Sequence, residues 1–77
     1  MKRARLVDLK IGDMFRFYLL EGHTVVPYGP ILVRGGKHYN MKYLAWYNPI
    51  TNYHSAASED VSVVIFENYK TVLKALL

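Results

Sequence analysis

Cysteine is absent from the 77-residue chain, which excludes disulfides and thiolate metal sites and fits a reducing compartment. No apolar run approaches the roughly 18–20 residues of a membrane-spanning helix, so none is expected. Acidic residues are few: six Asp and Glu stand against ten Lys and Arg, giving a net charge of +4 and a pI near 9.5. That balance tilts the chain toward anionic partners, yet a charge of this size is also what solubility asks of a small domain. There is no Asn-x-Ser/Thr sequon. The basic start Met1-Lys2-Arg3-Ala4-Arg5 runs into Leu6-Val7-Asp8-Leu9-Lys10, whose charges interrupt the apolar stretch a secretory signal needs. A cytoplasmic protein is expected.

What is present is apolar and aromatic. Hydrophobic residues make up 52% of the chain, too many for a disordered segment. The length allows one domain, residues 1–77, with a stability margin of about 3–5 kcal/mol from its core alone. With disulfides excluded, a second copy of the chain is the readiest additional support.

The punctuation is that of short strands. Gly12-Asp13 marks a turn before an alternating strand over 14–20, which puts Phe15, Phe17 and Leu19 on one face and Arg16 and Tyr18 on the other. Glu21-Gly22 breaks it. A short extended piece over 23–26 leads to the turn signal Pro27-Tyr28-Gly29-Pro30, then a strand over 31–34. Gly35-Gly36 has the composition of a two-residue hairpin turn with positive φ. Residues 37–47 form the longest candidate strand, with the face Tyr39, Met41, Tyr43, Ala45 and Tyr47 expected to look inward. That choice leaves Leu44 and Trp46 outside. The stretch from Asn48 to Asn52 is a loop, 53–57 a short strand, and 61–66 a strand whose near-continuous apolar character predicts burial on both faces. At the end, Tyr69, Val72, Leu73 and Leu76 follow helical spacing after Asn68, a credible N-cap. So short a helix must pack on the sheet or on a second subunit. The expected fold is therefore mainly β: a small, partly open barrel of about five short antiparallel strands with a short C-terminal helix.

Catalytic chemistry finds no foothold in the spacing. His23, His38 and His54 form neither His-x-x-x-His nor His-Glu-x-x-His, and Glu59-Asp60 reads as a solvated acidic turn. Gly35-Gly36-Lys37 is followed by His38 and a strand, not by the Ser or Thr and helix of a phosphate loop. A non-enzymatic protein without cofactor or metal is expected. The compositional excess is seven tyrosines, beside three Phe and one Trp. Tyrosine joins a large apolar body to a hydroxyl and is enriched at interfaces; aromatics interleaved with basic residues also bind single-stranded nucleic acid. About half of these rings should be core. The expected partner-binding residues are Arg16, Tyr18, Arg34, Lys37, Lys42, Leu44 and Trp46. Lys2, Arg3 and Arg5 make a cationic arm suited to phosphate, and Tyr69, Val72, Leu73 and Leu76 are candidate dimer contacts.

The opening Leu9-x-Ile11-Gly12-Asp13-x-Phe15-x-Phe17, the hairpins after it and the late Val61-x-Val63-Val64 strand resemble small SH3-like β-barrel proteins. They look particularly like the short accessory proteins that bacteriophages encode in their early regions. The helical C-terminus departs from that pattern and favours a dimer. The resemblance implies a non-enzymatic protein that binds nucleic acid or a host replication or transcription component, and it carries over no functional residues. Two functions are therefore expected to compete: a protein-binding module that blocks a host protein, and a nucleic-acid-binding barrel.

Overall fold

The computed structural model describes residues 2–37 and 42–65, which form six strands. They are β1 (Lys2–Arg5), β2 (Met14–Glu21), β3 (Thr24–Lys37), β4 (Tyr43–Tyr47), β5 (His54–Ser58) and β6 (Ser62–Ile65). All pair antiparallel in one open sheet of order β1-β6-β2-β3-β4-β5. Among the described residues the helical structure is limited to a 3-10 turn over Leu6–Asp8. The domain is mainly β, with one strand more than expected. The additional strand is the basic N-terminus itself: Lys2, Arg3 and Arg5 are edge-strand residues paired with Ile65, Val64 and Ser62, not an arm. Pairing with β6 satisfies backbone groups that a loose terminus would leave to water. The expected C-terminal helix, with Tyr69, Val72, Leu73 and Leu76, lies outside the described residues.

Two turn signals are absorbed into the long β3. Residues 27–30 form no chain reversal. Between the pairs Phe15↔Leu32 and Phe17↔Tyr28, three residues of β3 stand opposite the single Arg16, a bulge that bends the strand. Gly29 there has φ +73°, and Arg16 Nε donates to its carbonyl at 3.0 Å. The real reversal is at Gly22-His23, between the paired Glu21 and Thr24, where Gly22 supplies a φ of +62°. Gly35 and Gly36 also lie inside β3, and neither has positive φ. They irregularly space the pairs Arg34↔Trp46 and Lys37↔Leu44. The physical reason for a glycine here is crowding, since a Cβ on Gly35 would sit 3.2 Å from the Ala45 Cβ.

This register corrects the expected inward face of β4. Leu44 is fully buried in the core cluster and Trp46 packs against it, so the pair turns inward while Tyr43, Ala45 and Tyr47 take the other face. Tyr39 and Met41 lie outside the described residues.

The core is Leu6, Leu9, Phe15, Leu32, Leu44 and Val63, drawn from five separate stretches of chain. It is enclosed because the sheet is curled. β5 and β6 stand four positions apart in strand order, which in a flat sheet is about 19 Å at ~4.8 Å per step. Residues 59–61 join them, and four Cα steps span at most about 14 Å. The segment after β1 holds the curl: Leu6 N–H donates to the Val61 carbonyl and Val7 N–H to the Glu59 carbonyl, each at 2.9 Å. Leu6 and Leu9 then fill the space the curled sheet leaves. On β6 both Val63 and Val64 are fully buried, although they point to opposite faces. The apolar run thus has the two-sided burial its sequence predicts.

Candidate partner-binding surface

The inner face of the sheet carries aromatic rings beyond those the core encloses. Phe17 follows Phe15 by two residues and shares its face, their rings meeting edge-on at 5.5 Å. Cross-strand pairing sets Tyr28 opposite Phe17, stacked at 6.3 Å. Over the curl, Trp46 meets Phe17 edge-on at 6.0 Å, and Tyr53 leans on Trp46 at 6.0 Å. The result is a continuous row, Tyr53–Trp46–Phe17–Tyr28, with exposed rings at its two ends. Tyr53 is held at the close of a structured loop. Asn48 Oδ1 accepts the N–H groups of Ile50 and Thr51 at 2.8 and 3.2 Å, and Asn52 takes φ +62° just before Tyr53.

The row continues onto the tip of the β2–β3 hairpin. β6 pairs with Phe15 and Arg16, and β4 with β3 from Val33 onward, so neither covers the tip. There Leu19 pairs with Val26 on the inner face and Leu20 with Val25 on the outer. Leu19 and Leu20 are both more than half exposed. Such a two-stranded ribbon has little stability of its own, and contiguous exposed apolar surface of this kind marks interaction sites.

Two buried donors lie beside the row. Arg34 and Trp46 are direct cross-strand partners, and both Arg34 Nε and Trp46 Nε1 are buried without an acceptor. The outer face differs in character: Arg3, Val64 and Arg16 form one row across three strands, and Arg5, Ser62 and Tyr18 the next. Its arginines are engaged. Arg5 pairs with Asp8 at 3.4 Å and Asp60 at 3.5 Å, and Arg16 with the Gly29 carbonyl. Tyr18 shares a 2.7 Å hydrogen bond with Ser62 Oγ. That bond, and less strongly Arg3, hold the Tyr18 hydroxyl below the ordinary tyrosine range.

The expected partner-binding residues are therefore divided. Arg16 and Tyr18 lie together on the outer face, Lys37 and Lys42 are exposed near the β3–β4 connection, and Trp46 belongs to the inner row. Leu44 is a correction: it has no exposed surface and packs in the core. Arg34 is buried as well. Sequence reasoning missed the hairpin tip and the row's members Phe17, Tyr28 and Tyr53. A signal existed for the first, since adjacent Leu19 and Leu20 cannot both face one core from a strand. Among the described residues no cluster of three or more His, Asp or Glu could hold a metal ion, and no helix is long and apolar enough to cross a membrane. No family model matches the sequence, and no curated protein and no solved structure matches it.

Proposed function

We propose that this protein is a non-catalytic binding module of SH3-like, partly open barrel type that engages another protein through its inner aromatic row and hairpin tip. One observation carries the reading: a continuous apolar stripe, from Tyr53 through Trp46, Phe17 and Tyr28 to Leu19, has exposed members along its length. Aromatic anchors beside a small apolar patch are what protein interfaces use for affinity. A module of this size that covers a working surface of a larger protein would act as an inhibitor, and the phage-type resemblance points to a host protein of replication or transcription. The test is capture from nuclease-treated host lysate at about 1 M salt, where the screening length is only ~3 Å. A partner retained by the wild type and lost with Leu19→Asp and Tyr53→Ala is expected. Retention by both variants would remove the stripe from the interface.

A second reading, nucleic-acid binding, draws on the outer-face rows that place Arg3, Arg5 and Arg16 with Tyr18. Phosphate-driven affinity falls steeply with salt. A low-salt gel shift that disappears in Arg3→Ala/Arg16→Ala would establish it; no shift at micromolar protein would dismiss it.

A further inference from the structure

We infer that Arg34 and Trp46 form a donor site beside the aromatic row, built to take the carboxylate of an Asp or Glu within an otherwise apolar partner segment. The inference rests on reading the row as a protein-binding surface and names the chemistry that surface selects. Arg34 retains 7% of its surface, and its Nε is buried without a partner. Trp46 Nε1, on the residue directly opposite, is buried without a partner as well. Both groups can only donate, and a guanidinium does not shed its charge to relieve burial. Among the described residues no carboxylate lies within 4 Å of Arg34. Native structures satisfy buried polar groups almost without exception, so two adjacent orphan donors call for an acceptor.

Directly opposed residues of an antiparallel pair have Cβ atoms about 5 Å apart, which lets one carboxylate answer both donors, an oxygen to each. A backbone carbonyl would satisfy one donor and leave the cation uncompensated. A nucleic-acid phosphate needs exposed cations along a track, whereas Arg34 is buried beside apolar rings and the exposed arginines lie on the opposite face. Access falls to Tyr53, the most exposed ring of the row, which leans on Trp46 from the loop before β5. Its displacement costs the least packing of any ring there.

Trp46 is the sole tryptophan, so its indole N–H gives a single, unambiguous resonance. The probes are the peptides acetyl-Leu-Glu-Leu-amide and acetyl-Leu-Gln-Leu-amide and a short oligodeoxythymidylate, each titrated into the full chain. The Glu peptide should move the indole N–H downfield and bind at least tenfold more tightly than the Gln peptide. Arg34→Met should abolish that preference while melting at the wild-type temperature or above, because an uncompensated buried cation has been replaced by a side chain that asks for no acceptor. Arg34→Lys should weaken the preference without restoring the fork. Equal responses to the two peptides would overturn the carboxylate site while leaving the row a peptide-binding surface. A response to the oligonucleotide alone would overturn both. Should Arg34→Met fail to fold, the Glu-over-Gln preference of the wild type decides the matter by itself.

Discussion

Tyr18 ties three strands together through its hydroxyl, with Ser62 of β6 hydrogen-bonded to it and Arg3 of β1 close by. Both partners favour the phenolate, so the folded hydroxyl titrates below its unfolded value. The stabilisation that follows belongs to the alkaline range: it is present above the unfolded pKa and lost as pH falls through the folded one, leaving none at neutrality. Spectrophotometric titration should show one downshifted tyrosine ionisation vanish in Tyr18→Phe and move upward in Ser62→Ala. No change in Ser62→Ala would mean the bond does not set the value. Leu44 makes a simpler claim. It has no exposed surface, and Leu44→Ala should cost about 2–5 kcal/mol in urea denaturation, comparable with the whole margin expected of so small a domain. The sequence made Phe15 and Phe17 readable as a shared face because alternation in β2 is uninterrupted. It misplaced Leu44 because the parity of β4 depends on where β3 ends, and nothing local to 43–47 encodes that.

Among the elements, β3 departs most from its sequence signals. Pro, Gly and aromatic residues at 27–30 have the composition of a turn, yet the strand passes through by bulging opposite Arg16. Ladder pairing with β2 before and after the bulge outweighs the local preference. The two glycines at 35 and 36 should behave differently for the same reason. Gly35→Ala forces a methyl to within 3.2 Å of Ala45 and should cost about 1–3 kcal/mol, as overpacking does. Gly36 has nothing within 4 Å and a φ open to any residue. Gly36→Ala should be neutral or gain about 0.4–1 kcal/mol by restricting the unfolded chain. Equal losses in thermal denaturation would show that the close approach of Gly35 to β4 is not what holds the register. The strands over 14–20 and 53–57 were legible within a residue or two, each bounded by polar or Gly-containing turns, and so was the start of the strand over 61–66. β1 was not, since a short basic run has no strand signature until β6 offers it a partner.

At the scale of the molecule, the curl links the site to the ends of the sheet. The inner row meets across the curl, with Phe17 on β2 reaching Trp46 on β4, so a change that relaxes the curl should part them. Deleting residues 1–5 removes β1 and the support for Leu6. The expected outcome is loss of cooperative unfolding together with loss of the near-ultraviolet signal of Trp46; a truncated chain that keeps both would show that β1 is dispensable. The nucleic-acid and protein readings also separate at this scale, because one uses the outer face and the other the inner. The pairing of Lys2 with Ile65 has a consequence for how the protein is made. During synthesis β1 leaves the ribosome before the other described strands, and its sheet partner among them, β6, is the last to follow. Lys2–Arg5 must therefore wait for β6, available meanwhile to chaperones or neighbouring nascent chains, until residue 65 has emerged. The exposed hairpin β2–β3 can form long before then. A ribosome-bound chain stalled before β6 should consequently present its apolar hairpin without a closed core, and the sheet completes in one late, non-local step.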